Sequence, residues 1–247
     1  MLLPLLGKRA MPEISPHHPT SNRLLASLSP SDLGRLQPHL TSMSFKLRQD
    51  LERPNTPIEN IYFMHTGFAS VVAVQSGSEV IEIGLIGREG MTGSAVLLGN
   101  GQSPHSTYVQ AVGTGQRIAA RELRKATEES ATLHRTLLKF VQAFTVQTAH
   151  TAIANARAKM PERLARWILM AQDRLTTATL PLTHEFLALM LGVRRSGVTE
   201  VLIDLRRRKL IDAKRGEVVV LNRKGLERLA GDFYGLPEQE YRRLLGN

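Results

Sequence analysis

The spacing of apolar and polar positions changes twice along the chain, and each change predicts a change of architecture. "SNRLLASLSPSDLGRLQPHL", from Ser21, carries two short amphipathic stretches. Ser29 or Ser31 suits the N-cap of the second, and Pro38 lies near its end, so the segment predicts two short helices. From Phe45 to about Ala120 the period drops to two. "NIYFMHTGFASVVAV", "SEVIEIGLIG" and "STYVQAVGTGQRIAA" alternate apolar with polar positions. Gly67, the Gly77 region, Gly87, Gly90, Gly93, Gly99, Gly101, Gly113 and Gly115 punctuate these runs. Short strands separated by glycine turns predict an all-β roll, barrel or sandwich.

No glycine then occurs until Gly192. From about Glu122 to Ala156 the pattern predicts one long helix. Leu133, Leu137, Phe140, Phe144, Gln147, Thr151 and Ala154 recur at alternating intervals of four and three, a heptad seam. Such a seam packs along a parallel partner, which makes Leu133, Leu137, Phe140 and Phe144 a dimer interface; a helix lying on its own β domain is the other reading. The length of the helix favours the partner. Lys159-Met160-Pro161 ends it, and Pro161 suits the first turn of the next helix, "PERLARWILMAQDRL". That helix shows Leu164, Trp167, Ile168 and Ala171 on one face. A domain boundary near Ala158 follows, separating residues 21–157 from 158–247 after a loose tail over 1–20.

"LTHEFLALMLGVRRSGVTEVLIDLRRRKLI", from Leu182 to Ile211, holds two helical patterns separated only by Gly192 and its neighbours. Thr183 suits the N-cap of the first, with Glu185 near its positive end. Phe186, Leu187, Met190 and Leu191 form its buried side. Val198, Val201, Leu202 and Leu205 do the same for the second, from about Arg194 to Arg208. This is a helix-turn-helix unit, whose second helix enters the major groove of DNA. Its exposed N-terminal positions are Arg194, Arg195, Ser196, Thr199 and Glu200. Arginine bonds bidentately to guanine, and Ser and Thr hydroxyls suit phosphates or base edges. Ile211–Ala213 and Val218–Leu221 read as a hairpin around Lys214 and Arg215, a basic wing beside the DNA backbone, with Asn222 capping a short final helix. Arg206, Arg207, Arg208 and Lys209 either face DNA or satisfy the last carbonyls of their own helix.

Composition sharpens the picture. Net charge is +10 over 247 residues, which suggests a polyanionic partner. From Ala158 onward 17 basic residues meet 11 acidic ones, so the excess is densest in the smaller C-terminal part. The absence of cysteine excludes disulfides, thiolate metal sites and cysteine-ligated iron–sulfur clusters, and fits a reducing cytoplasm. No apolar run reaches the roughly 18–20 residues of a membrane span, and the leucines of "MLLPLLG" make too short a run for a secretory signal. An enzyme finds little support: "GLIGREGMTG" lacks the Lys-Ser/Thr of a phosphate loop, and neither a carboxylate pair nor a nucleophile–histidine arrangement stands out. His65, His105, His134 and His150 are scattered, and no metal or haem site is expected.

The order of these pieces resembles the Crp/Fnr superfamily of bacterial transcription regulators. "IYFMHTGFASVVAV" and "IGLIGREGMTGSAVLLG", the heptad helix and the helix-turn-helix stretch carry the resemblance. It implies an α+β chain: an N-terminal jelly-roll β-roll of the cyclic-nucleotide-binding type, a dimerisation helix (about 122–156) and a C-terminal winged helix-turn-helix. It also implies a homodimer on a palindromic operator in double-stranded DNA, RNA polymerase as a further partner, an unidentified small-molecule effector, and Arg195 at the base-reading position. Members that bind cyclic AMP use a glutamate and an Arg-Ser pair. Here Met91 falls at the glutamate and His105 and Ser106 at the pair, with Glu89 and Arg88 close by. Methionine cannot accept two hydroxyl bonds, and a neutral histidine lacks the guanidinium fork. The expected pocket is therefore divergent: Glu89, Met91, His105 and Ser106 from the roll, with Gln147, Thr148 and Thr151 from the helix. The rival reading keeps the fold but makes it a ligand- or protein-binding module without sequence-specific DNA binding.

Overall fold

The computed structural model describes residues 22–74, 80–175, 177–214 and 216–246. The tail over 1–20, the turn around Gly77 and Arg215 of the wing lie outside the described residues.

Two short helices open the described chain, α1 (Arg23–Ala26) and α2 (Pro30–Leu36). Asn22 and Ser29 cap them by accepting the backbone N–H groups of Leu25 and Asp32. Seven strands follow: β1 (Thr41–Phe45), β2 (Asp50–Glu52), β3 (Asn60–Met64), β4 (Phe68–Val74), β5 (Val80–Ile86), β6 (Ser106–Ala111) and β7 (Gly113–Ala119). They form two antiparallel sheets, β1-β7-β3 and β2-β6-β4-β5, with the one-turn α3 (Ser94–Leu97) between β5 and β6. Ile61, Phe63, Val71 and Ile118 close the roll from inside. The alternation predicts one buried face, but β4 is buried on both faces from Phe68 to Val72, because the C-terminal part covers the second one.

The expected single helix over 122–156 is two helices, α4 (Ala120–Glu129) and α5 (Ala131–Arg157). Ser130 leaves the helical region (φ −136°, ψ 104°) and caps α5 by accepting the N–H of Leu133. Its hydroxyl donates to Asp32 Oδ1 at 2.6 Å, tying the break to α2.

The heptad seam needs a second correction. Leu133 and Leu137 are 0% exposed and Phe140 3%, all within the chain's own core beside Met91, Ile118 and Leu123. Phe144 packs on the same cluster. A Cβ on Gly84 would meet the Phe144 ring at 2.8 Å, and one on Gly90 would overlap the Phe140 ring. The four residues expected at a dimer interface therefore seat α5 on its own roll. Glycine at positions 84 and 90 is what lets the rings approach so closely.

The C-terminal part consists of α6 (Met160–Arg174), β8 (Thr179–Leu180), α7 (His184–Leu191), α8 (Arg195–Arg207), β9 (Ile211–Lys214), β10 (Glu217–Val220), α9 (Arg223–Ala230) and α10 (Leu236–Leu245). The small sheet has the order β8-β10-β9. Asn222 caps α9 as expected. Helix α10, which the sequence pattern did not predict, packs along α5. Every residue of α6 from Leu164 to Ala171 is buried, not one face only. One cluster joins α6–α9 to Phe68, Leu85 and Ala111 of the roll, so the hydrophobic core runs across the position of the expected domain boundary.

Candidate nucleic-acid interface

The pair α7–α8 is held by local chemistry that the residues dictate. Thr183 Oγ1 accepts the N–H of Phe186 and starts α7. Gly192 ends it in the left-handed region (φ 60°), where a Cβ is disfavoured, and the chain turns at once into α8. Leu187, Met190 and Leu191 of α7 and Val198, Leu202 and Leu205 of α8 are buried, with Phe186 and Val201 packed beside them. Their burial fixes which residues of α8 face outward.

Arg194 is the N-cap of α8 in extended backbone (φ −69°, ψ 141°), with no side-chain cap bond. Arg194, Arg195 and Ser196 are exposed, and no acid lies in the first turn. The unpaired N–H groups and dipole of the helix start add to this positive end. Glu200 is exposed one turn further on. Thr199 is turned to another task. Its Oγ1 donates to the Arg195 carbonyl at 3.0 Å and lies 2.9 Å from His184 Nδ1. The hydroxyl has one hydrogen, so His184 must be the donor to it, and the pair ties the start of α7 to α8. Sequence reasoning placed both residues on these helices and missed the clip. The cue was available, because both lie near the starts of neighbouring helices.

The basic C-terminal end of α8 is largely engaged within the chain. Arg207 and Arg208 pair with Asp204, and Arg206 reaches Asp212 at 3.3 Å. Beyond them β9 and β10 pair antiparallel from Ile211↔Val220 to Lys214↔Glu217. Lys214 stands at the exposed tip, 3.9 Å from Asp212.

Comparison with known proteins decides what this arrangement belongs to. Residues 162–229 match the Crp-like helix-turn-helix domain. The global nitrogen regulator of Nostoc sp. is 24% identical over 187 residues, spanning 72% of this chain and 83% of that protein. Residues 162–229 therefore form a Crp-like helix-turn-helix domain, and the chain as a whole resembles Crp/Fnr regulators. Solved Crp/Fnr structures share its fold. FixK2 of Bradyrhizobium japonicum superposes with a TM-score of 0.66 at 16% identity, over 78% of this chain and 98% of that one. A Crp/Fnr transcriptional regulator of Thermus thermophilus gives 0.63 at 22% identity, over 77% and 98%. The chain is a transcription regulator of the Crp/Fnr type with a helix-turn-helix DNA-binding domain, and the relative it matches is named as a regulator. No helix among the described residues is long and apolar enough to cross a membrane, and among them no histidine and carboxylate cluster could hold a metal ion.

The residues expected around an effector are not brought together at one place. Met91 is 0% exposed inside the roll core. Ser106, next to His105, pairs with Val72 at the far end of β6. Thr148 donates to Thr145 O, and Thr151 donates to Gln147 O while accepting from Arg166 Nη2. Of these residues Glu89 and Gln147 alone line a common cavity, of about 180 Å³, bounded by the turn after β5, α5, α6 and α10. Glu89 pairs with Arg174 at 2.7 Å. Gln147 accepts the N–H of Leu85 and donates to its carbonyl, completing the backbone pairing of β5 from the helix.

Sequence reasoning also missed what joins the roll to the DNA-binding part. Glu82 on β5 is buried, accepting from Trp167 Nε1 at 2.6 Å and bonded to Ser70 Oγ at 2.7 Å. Burial raises its carboxyl from the ordinary 4.5 to about 7, outweighing those two bonds and the nearby Arg174 and Arg166. Trp167 also meets Phe68 and Phe186 edge-on, and Tyr108 points its hydroxyl at Met190 Sδ. The unbroken apolar run from Trp167 to Ala171 was the signal for this all-round burial.

Proposed function

We propose that the protein is a homodimeric, sequence-specific regulator that binds a palindromic operator in the cytoplasm, with residues 21–157 as an effector-type domain and 158–247 as the DNA-binding domain. The observation that carries this reading is the solvent-facing first turn of α8, where Arg194, Arg195 and Ser196 stand clear of the core that fixes the helix pair. Arg195 reads a base, Arg194 and Lys214 hold phosphates, and Ser196 and Glu200 flank the reading position. Thr199 acts through the His184 clip and sets the angle of α8 instead of touching DNA.

Dimerisation uses the other face of α5. Arg135, Lys139, Gln142, Val146, Ala149, Ile153 and Ala156 form a second row at alternating intervals of four and three, opposite the buried one. Its second half is apolar, and Ile153 is 45% exposed. A two-fold partner would cover Val146, Ala149, Ile153 and Ala156.

The effector is not cyclic AMP. Met91 is sealed in the core, and Glu89 is paired with Arg174. Calorimetry should show no micromolar binding of cyclic AMP. Gel-shift on fragments of the host genome tests the function itself: a few fragments should shift at concentrations where most do not. Equal retardation of all fragments, or of none, contradicts it.

A further inference from the structure

The cavity at Glu89 and Gln147 has a composition that neither the roll nor the helix-turn-helix explains. One wall is apolar: Phe140 and Phe144 lie stacked with centroids 6.2 Å apart, and Pro237 faces the same space from α10. The opposite lining is ionic, and its groups differ in how far they are already satisfied. All three lining carboxylates are engaged. Glu89 pairs with Arg174, Asp173 takes Arg223 and the Tyr234 hydroxyl, and Glu238 accepts the N–H of Gly235. The tyrosine hydroxyls are committed as donors too, Tyr234 to Asp173 and Tyr241 to the Glu89 carbonyl. The guanidiniums keep spare capacity. Arg174 is 5% exposed, yet its buried Nε has no hydrogen-bond partner. Arg23 and Arg242 line the cavity without an ion pair among the described residues.

An unsatisfied buried N–H and two uncommitted cations beside stacked aromatic rings favour an anion with an apolar body. At about 180 Å³ the space is below the roughly 300–1,000 Å³ of drug-sized sites. A nucleotide is too large. We propose that this cavity binds a small aromatic carboxylate, its ring against Phe140 and Phe144 and its carboxylate toward Arg174, Arg23 and Arg242. The site is built from α5 and the turn after β5 on one side, and from α6 and α10 on the other. Its occupant therefore bridges the roll to the C-terminal part and biases how the two sit together. Only this last step rests on the reading of the protein as a DNA-binding regulator.

The test uses the full chain without DNA. Benzoate, phenylacetate and indole-3-acetate are titrated by saturation-transfer NMR, beside their uncharged amides. At least one carboxylate should saturate, with its amide at least tenfold weaker. Arg23→Ala with Arg242→Ala, both at exposed positions, should weaken binding at least tenfold, and so should Phe144→Leu, which keeps an apolar side chain. Failure of all three carboxylates to saturate overturns the proposal, as does equal binding of the amide or full binding by the double arginine variant. In a second arm, saturating carboxylate should change affinity for a shifted fragment at least fivefold, and no change overturns the coupling. Wild-type protein that binds the carboxylate and no DNA would leave the site standing and sink the function.

Discussion

Arg194 and Arg195 are neighbours in the chain, yet the start of α8 places them differently, and the proposed function gives them different work. Arg194 sits in extended backbone at the helix entry, and Arg195 is the first helical residue. Losing a phosphate contact, as in Arg194→Ala or Lys214→Ala, should weaken binding to every sequence alike and lower the salt slope by about one. Filter binding at three salt concentrations reads both effects, and a loss confined to one base position would contradict the assignment. Glu82 makes the other residue-scale prediction. Its carboxyl rises from the ordinary 4.5 to about 7 on folding, so the folded chain holds an extra proton between those values. Stability from this group is full below the lower value and is lost as pH rises through the upper one. The loss should be at most about 3 kcal/mol. Melting temperature should therefore fall between pH 5 and pH 8 relative to Glu82→Gln, which cannot ionise. Trp167 emission should report the same transition, since its indole donates to Glu82. Parallel profiles for the two proteins would contradict the burial account.

At the scale of elements, α5 shows what the sequence made legible and what it left hidden. The helix-turn-helix was readable because Thr183, Gly192 and the two apolar faces are local signals, each placed where one turn of chain needs it. The heptad row was readable as a row. Its destination was not, because an apolar stripe at that spacing is the same whether it meets a second helix or the chain's own sheet. The deciding contacts, Gly84 to Phe144 and Gly90 to Phe140, join residues far apart in sequence. Helix α10 escaped for a different reason: few of its residues are buried, and it is held by Tyr241 and Leu245 against α5. The break at Ser130 was hidden because its partner, Asp32, lies on α2. Two expected outcomes follow. Gly90→Ala should destabilise the protomer by about 1–3 kcal/mol through overpacking against Phe140, measured by urea unfolding; an unchanged midpoint would contradict the packing. Ala149→Glu with Ile153→Glu should give folded monomers by light scattering, whereas Phe140→Glu should unfold the protomer itself. A double variant that stays dimeric would place the interface elsewhere.

On the scale of the whole molecule, one hydrophobic cluster spans the two parts beside the roll's own cores. Phe68, Leu85 and Ala111 of the roll belong to the cluster built by α6 to α9. The protein should therefore unfold in a single calorimetric transition, and two separated transitions would contradict the shared core. The charge of +10 gives this unit a non-specific attraction to DNA that depends on salt. On the proposed reading, sequence preference comes from the few side chains at the start of α8. Selection of the full-length protein on a randomised-operator pool, beside Arg195→Ala, measures that directly. The wild type should enrich an inverted repeat with half-site centres ~34 Å apart, about one helical turn. Arg195→Ala should lose preference at one base pair in each half-site, at a cost of about 1–3 kcal/mol. Enrichment of no repeat by the wild type, or an unaltered repeat from Arg195→Ala, would contradict the account.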